Sequence, residues 1–501
     1  MRTKNAIRNL IVAWGGQLTF LLCTFLSRSI FVKILSAEYL GISGLFGNIL
    51  SMLSLVDLGI GVSIAFYLYE PLAKNDEKKV CQLMNYFRKM YITIGIIVFV
   101  LGVSITPFLG WFINESAAIP NIHFIYILHV TNSALTYFSA YKTSLINADQ
   151  KNYIESVYYN SIRVIQTILA IVLLVVIKDY IAFYSVTLIA TLVYNILITR
   201  KVNKMYPYLS KYKNEVIDLD MKEKIKKNTF AMMCHKIGTV LVNSTDNLII
   251  SKCVSIVAVG LYSNYSLILT NLNKIIGQIF NAMTASIGNF NVLETNEKKE
   301  KLFYTLFFLD FEIYNFCSIC LFVLFNPFIA LWLGNDYVMD QAIVLIIVLN
   351  NYMQGVRRVV LSFKDACGLF QNDKYKSLIE SAINLIASIV LVKYWGIAGV
   401  FVGTTISFVC TCLWVEPYVL LKHGLKSSIS KYVKKYILYL LETAVCIGVA
   451  YYIALMMPTG IVGFICCFGI CVVVWAVPFL LFHSRSEEFK TLLEKVKKQK
   501  K

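Results

Sequence analysis

The chain alternates long apolar runs with short polar and mostly basic stretches. A bilayer core is crossed by a helix of about 20 mostly apolar residues. Runs of that length predict about 14 spanning helices. They lie near 9–32, 39–69, 90–113, 123–146, 153–177, 180–200, 229–251, 255–288, 303–332, 339–361, 375–395, 397–421, 434–457 and 460–483. We therefore expect an all-α integral membrane protein.

A basic polar segment in the middle of the chain separates two sets of six predicted helices. We expect an N-lobe over 1–200, a basic cytoplasmic linker over 201–228 and a C-lobe over 229–422. Two appended helices and a basic cytoplasmic tail follow over 423–501. The linker is either a solvated loop or a segment that contacts lipid headgroups.

The two halves share short sequence echoes at a nearly constant spacing. LSRSIFVKILSAEYLG (26–41) is echoed by TDNLIISKCVSIVAVG (245–260), with Gly41 and Gly260 related by an offset of 219. VIKDYIAFYSV is similarly echoed by LVKYWGIAGVFV. Because each half has six helices, both begin on the same side of the membrane. This indicates a parallel repeat with a pseudo-twofold axis along the membrane normal.

The basic residues predict how the helices are oriented. With the N-terminus in the cytoplasm, most of the 47 Lys and Arg residues fall in inside segments. The outside loops then hold only Lys33, Lys178, Lys252 and Lys393. Since basic loops stay inside, we expect both termini in the cytoplasm. Topology thus accounts for the net charge of +18 and argues against nucleic acid as a partner.

Composition supports this assignment and argues against an enzyme. The chain is 58% hydrophobic and only 15% charged, whereas soluble chains are about 45–50% apolar and about 25% charged. The thirteen cysteines lie mostly in apolar runs, as does the C-x-x-C of residues 317–320, so we expect no metal site. Short outside loops, dispersed acids and the lack of a phosphate-loop motif predict neither catalysis nor a cofactor.

Ionisable residues within the predicted spans are the candidate site residues, because such groups usually face a cavity or a partner. Arg28 and Asp246 occupy nearly equivalent repeat positions near the outer ends of their helices, and Asp57 and Lys274 do so deeper in the membrane. We hypothesise two cross-lobe gate contacts, Arg28 with Asp246 and Asp57 with Lys274. Alternatively, Arg28 extends to the outer interface and Asp57 caps a bent helix within its own lobe.

Arg163 lies near the middle of the membrane, about 15 Å into the fifth predicted helix. A guanidinium binds phosphate oxygens through two parallel hydrogen bonds, so a diphosphate is a candidate ligand. A pair with Glu155 in the same lobe is the alternative. His235 and Lys236, at the start of the seventh predicted helix, either form a secondary cavity or contact the cytoplasmic interface.

Two stretches carry a family resemblance. LSAEYLGISGLFGNILSMLSLVDLGIGVSIAFYLYEPLAKND (35–76) resembles the helix 1–2 region of Wzx-type polysaccharide flippases. LFQNDKYKSLIESAINLIASIVLVKYWGIAGVFVGTTIS (369–407) resembles their helix 11–12 region. These flippases belong to the MOP (multidrug/oligosaccharidyl-lipid/polysaccharide) exporter superfamily, with the MATE multidrug exporters and the lipid II flippase MurJ.

The resemblance implies two six-helix lobes around a cavity that opens alternately to each face of a bacterial inner membrane. The implied substrate is an undecaprenyl-diphosphate-linked oligosaccharide, moved to the outer leaflet for capsule, O-antigen or related polymers. Arg28, Arg163 and Lys274 would make the cavity cationic, and a polymerase and assembly proteins would be partners. A MATE-like cation-coupled exporter, favoured by Asp57, Asp246 and Asp310, and a lipid II flippase remain alternatives. Coupling to a proton or sodium gradient is also left open.

Overall fold

The computed structural model describes residues 2–54, 60–113, 119–149, 151–212, 215–225, 244–293, 295–367, 369, 373 and 375–499. Across these residues the regular structure is helical, as the apolar runs predict, and contains no strand. The chain divides into two compact units, Met1–Gly260 and Leu261–Lys501.

Most helices are long and each belongs mainly to one unit. The first unit contains α1 (Arg2–Ile34), α2 (Ala37–Leu53), α3 (Ile60–Ala73), α4 (Glu77–Ile105), α5 (Ile122–Ala148), α6 (Asn152–Ile177), α7 (Tyr180–Met205), α8 (Tyr208–Lys211) and α9 (244–253). Next, α10 (Ile256–Leu293) crosses the boundary between the units. The second unit continues with α11 (Asn296–Leu333), α12 (Gln341–Val356), α13 (Arg358–Ala366), α14 (Lys376–Cys410), α15 (Cys412–Val419), α16 (Ile429–Ala454), α17 (Ile461–Pro478) and α18 (Glu487–Gln499).

Eight of the described helical segments are long and apolar enough to cross a membrane. They are Glu77–Trp111, Asn152–Ile177, Tyr180–Met205, Asn296–Leu333, Gln341–Ala366, Lys376–Leu425, Ile429–Ala454 and Ile461–His483. The prediction of an all-helical membrane protein is therefore confirmed. The total of about 14 spans stays a prediction.

Polar N-caps set where several helices begin. The carboxylates of Asp76, Asp179 and Asp340 accept backbone N–H groups in the first turns of α4, α7 and α12, at 3.0, 2.9 and 2.7 Å. The hydroxyl of Ser255 accepts one in the first turn of α10 at 3.0 Å. Such caps satisfy N–H groups that have no partner within the helix. Because its cap lies outside the apolar run, α4 begins well before the span predicted at 90–113.

Gly396, the one residue between the predicted spans 375–395 and 397–421, makes a sharp turn. Its φ of 54° and ψ of −134° interrupt α14, in a region that glycine enters without steric cost. The helical arms on either side then lie against each other, and the Ser388 hydroxyl donates to the carbonyl of Val400 at 3.1 Å. This stretch is a tight helical hairpin.

Gly41 and Gly260 lie where the first turns of α2 and α10 cross. A Cβ on Gly41 would sit 2.0 Å from the carbonyl oxygen of Ile256, and a Cβ on Gly260 would sit 2.2 Å from that of Ala37. The offset of 219 that relates Gly41 to Gly260 also relates Ala37 to Ile256. The contact is therefore reciprocal, as at a twofold axis, and small residues let the two backbones touch.

In the second unit, α11 is the element against which the last helices pack. The ring of Phe311 stacks on Tyr439 of α16 with centroids 3.9 Å apart. The indole of Trp475 on α17 donates to Glu312 at 3.0 Å. The two helices predicted as appended are thus joined to the second unit by aromatic packing and by a hydrogen bond to a carboxylate.

A buried charge network ties α14 and α15 to the junction of α12 and α13. Glu416, which is 1% exposed, accepts from both Nε and Nη2 of Arg357 and from Lys376 Nζ at 2.9 Å. Lys376 also pairs with Glu380 at 2.8 Å. Two cations and two carboxylates therefore balance, which is the condition under which buried charges are tolerated.

Gly41→Ala should lower the melting temperature of the purified protein in detergent. The added methyl group overlaps backbone atoms of Ile256, and such overpacking costs about 1–3 kcal/mol. Gly47→Ala is the matched control, because this position lies on the same helix with nothing within 4 Å of the new Cβ. Alanine should stabilise the helix there by roughly 0.5–1 kcal/mol. Equal shifts for both variants would contradict the crossing.

Glu416→Gln should destabilise the second unit by about 3–5 kcal/mol, because it leaves buried cations without their carboxylate. Glu300→Gln is the control: its pair with Lys431, at 2.7 Å, is more exposed, so its loss should cost less than about 1 kcal/mol. Denaturant titration of both variants measures the difference. If Glu416→Gln lowers the free energy of unfolding no more than Glu300→Gln does, the network is not a stabilising element.

Candidate functional site

A polar cavity of about 260 Å³ lies between α5, α6 and α7 in the first unit. Each helix contributes polar side chains spaced three or four residues apart, which places them on one helix face. They are Asn132, Thr136, Ser139 and Thr143 from α5, Glu155, Tyr159, Arg163 and Gln166 from α6, and Thr187, Thr191, Tyr194 and Asn195 from α7. The cavity is thus built from three polar stripes on apolar helices.

Hydrogen bonds between these stripes fix the cavity walls. Ser139 donates to the side-chain oxygen of Asn195 at 2.6 Å, and Thr191 donates to Asn132 at 2.7 Å. Gln166 joins α6 to a hydroxyl of α7 at 2.8 Å. Since hydrocarbon offers no partners, each bond helps to hold two helices together, typically by about 0.6 kcal/mol and at most by about 2 kcal/mol.

Arg163 is the cation of this cavity. It is half-buried and lies roughly 17 Å along α6 from its first residue. Its Nε and Nη2 donate to the Tyr159 hydroxyl at 3.0 and 2.8 Å. Tyrosine is neutral, so this contact orients the guanidinium without cancelling its charge. Glu155, the alternative partner predicted from sequence, lines the same cavity.

The other predicted site residues lie elsewhere in the fold. Arg28 on α1 and Asp246 on α9 are half-buried, and both belong to the first unit. Lys274 is exposed on α10 in the second unit. The pairings of Arg28 with Asp246 and of Asp57 with Lys274 stay predictions. Asp57, His235 and Lys236 lie outside the described residues.

Arg358 in the second unit is a cation that the sequence analysis missed. Its Nη2 donates to Asn273 at 3.2 Å, and its guanidinium lies 5.9 Å from the ring centre of Tyr314. Asn273 in turn donates to Asn351 at 2.6 Å. The signal was present as the pair "RR" inside NYMQGVRRVVLSF, at the end of an apolar run. The stripes of α5 and α7 were likewise visible as periodic Asn, Ser and Thr residues.

The fold is similar to that of solved transporters of the MOP superfamily. An inward-facing MATE multidrug resistance transporter matches with a TM-score of 0.64 and 13% identity, over 83% of this chain and 98% of the other. The lipid II flippase MurJ, in an inward closed conformation, matches with a TM-score of 0.63 and 14% identity, over 94% of this chain and 97% of the other. A MOP superfamily transporter from Pyrococcus furiosus matches with a TM-score of 0.53 and 12% identity, over 85% of this chain and 97% of the other.

The sequence itself identifies the family. Residues 6–284, more than half of the chain, match the family described as "Polysaccharide biosynthesis protein", and the chain belongs to that family. No curated protein matches the chain significantly. Family and fold together confirm the predicted resemblance to Wzx-type flippases of the MOP superfamily.

Proposed function

We propose that the protein is an alternating-access flippase for an undecaprenyl-diphosphate-linked oligosaccharide. It would carry this substrate from the cytoplasmic to the outer leaflet of a bacterial inner membrane, for assembly of capsule, O-antigen or a related surface polymer. The observation that carries the proposal is the polar cavity around Arg163, built at membrane depth in a member of a polysaccharide biosynthesis family.

The chemistry of the cavity suits the head of such a lipid. Sugars and a diphosphate cannot enter hydrocarbon unaided, because unpaired polar and charged groups are costly there. A guanidinium matches phosphate oxygens, and the amides and hydroxyls of the three stripes can replace the water around sugar hydroxyls. The polyprenyl tail can stay in the lipid. Transport of this kind changes no covalent bond.

The size of the cavity limits what it can hold. At about 260 Å³ it is smaller than ordinary ligand sites, which measure about 300–1,000 Å³. We therefore assign it to one part of a larger substrate, the diphosphate and the sugar next to it. The proposal includes the organisation predicted from the sequence. The two lobes span 1–200 and 229–422, the linker spans 201–228, and both termini lie in the cytoplasm.

One observation favours a second candidate function. Glu155, in the first turn of α6, lines the same cavity as Arg163, and carboxylates that line cavities of membrane proteins are typical of proton relays. A MATE-like exporter coupled to protons or sodium would use such a group. The family match favours a saccharide substrate over a drug, and it favours surface-polymer precursors over lipid II.

Arg163→Gln should reduce flipping at least tenfold, which corresponds to about 1.4 kcal/mol. It removes the charge that would hold the diphosphate and keeps a polar side chain. The full chain in liposomes, with a lipid-linked oligosaccharide supplied on one face, allows exposure on the other face to be followed with an impermeant sugar-modifying enzyme. Arg163→Lys should recover part of the activity, because the charge remains while the paired hydrogen bonds are lost.

The matched control is Lys204→Gln, which removes an exposed cation from the last turn of α7 and should transport normally. The flipping rate of Tyr159→Phe should lie between those of Arg163→Gln and the wild type, because this change removes the hydroxyl that orients Arg163 and keeps the ring. Normal transport by folded Arg163→Gln would overturn the assignment of the cavity. Absence of flipping by the wild-type chain, together with dye export, would instead support the second candidate.

A further inference from the structure

A second cavity, of about 340 Å³, lies at the ends of α4, α5 and α7 next to α8. It shares no lining residue with the cavity around Arg163. Its polar lining includes Asn85, Arg88, Lys142, Thr199, Asn203 and Ser210. No acidic side chain lines it. The cavity is thus cationic, and neutral hydrogen-bonding groups surround its two charges.

Lys142 is the deeper of the two cations. Its residue is only 7% exposed, and its Nζ donates to the side-chain oxygen of Asn203 at 2.7 Å. An ammonium group has three protons to donate, and a neutral amide does not balance its charge. Burying a charge is costly unless it is paired. Within the described residues no carboxylate forms an ion pair with Lys142.

Arg88 places a second positive charge in the same cavity. Its side chain is exposed, and across the described part of the chain it too has no ion pair. Two like charges in one cavity destabilise each other. The nearby acids have other partners: Asp149 accepts from Tyr206, which lines the cavity, and pairs with Lys151, each at 2.6 Å, and Glu215 faces Lys78 at 3.3 Å. The lining therefore brings two cations together without a carboxylate between them.

The cavity wall is held in place by the start of the linker. The amide of Asn85 donates to the backbone carbonyls of Tyr212 and Glu215 at 3.1 and 3.0 Å. The thiol of Cys81, one turn earlier on α4, donates to the carbonyl of Tyr208 at 3.4 Å. These bonds fix α4 against the linker before any ligand arrives, and such preorganisation lowers the entropy lost on binding.

We propose that this cavity is a phosphate-binding site, with Arg88 and Lys142 as its charged ligands and Asn203, Thr199 and Ser210 as neutral ones. Guanidinium and ammonium groups are the usual protein partners of phosphate. The basic loops predict that this end of the unit faces the cytoplasm. The phosphate therefore comes from an anionic lipid of the inner leaflet or from soluble phosphate. The site is independent of what the protein transports.

The test uses the full chain in nanodiscs and two probes. Inorganic pyrophosphate is added to nanodiscs of phosphatidylcholine, and phosphatidylglycerol is separately titrated into the same nanodiscs. Binding is followed by native mass spectrometry and by the shift in melting temperature. A response to pyrophosphate that persists in Arg163→Gln identifies a soluble ligand of this cavity, and a response to phosphatidylglycerol alone identifies a lipid headgroup. A response to neither probe overturns the proposal.

Arg88→Gln should weaken binding of the active probe at least tenfold. Because Arg88 is exposed, this variant should fold normally. Lys142→Gln should weaken binding similarly and raise the melting temperature without ligand, since it removes a buried charge. The control Lys89→Gln removes the neighbouring exposed cation, which does not line this cavity. If Lys89→Gln weakens binding as much as Arg88→Gln, or if Arg88→Gln binds like the wild type, the assigned site is wrong.

Discussion

Hydrocarbon supplies no hydrogen-bond partners, so a polar side chain inside an apolar helix must find its partner within the protein, on its own helix or on a neighbouring one. The stripes of α5, α6 and α7 meet this constraint with neutral pairs such as Ser139 with Asn195 and Thr191 with Asn132. Each pair fixes the rotation of two helices about their axes. The same bonds that hold the bundle together therefore also shape the cavity around Arg163.

Charged side chains are held in two ways across the described residues. In the second unit, Glu416 lies between Arg357 and Lys376, so the charges cancel and the network joins helices. In the first unit, Arg163 donates to a tyrosine hydroxyl and Lys142 donates to an amide. In the second unit, Arg358 likewise donates to the amide oxygen of Asn273. The network at Glu416 thus joins helices, whereas a neutral acceptor orients a cation without itself neutralising it.

Hydropathy predicted most of the helices, because length and apolar content are properties of each segment alone. It placed the start of α4 too late, since the cap at Asp76 precedes the apolar run. The sequence singled out Arg163 because a charged residue in an apolar run is rare. It did not single out Asn132 and Asn195, because amide side chains are more common in such runs. That Glu416 meets Arg357, 59 residues away, depends on tertiary packing that no local pattern encodes.

The presence of Arg163 and Glu155 in one cavity connects the two candidate functions. A diphosphate bound to Arg163 would share the cavity with Glu155, about 12 Å away along α6, and like charges repel. Protonation of Glu155 would remove that repulsion, so proton binding and substrate binding would favour each other. By linkage the effect must be equal in both directions. A carboxylate in the cavity is therefore no argument against an anionic substrate, and it offers a route by which a proton gradient could drive the transport of one.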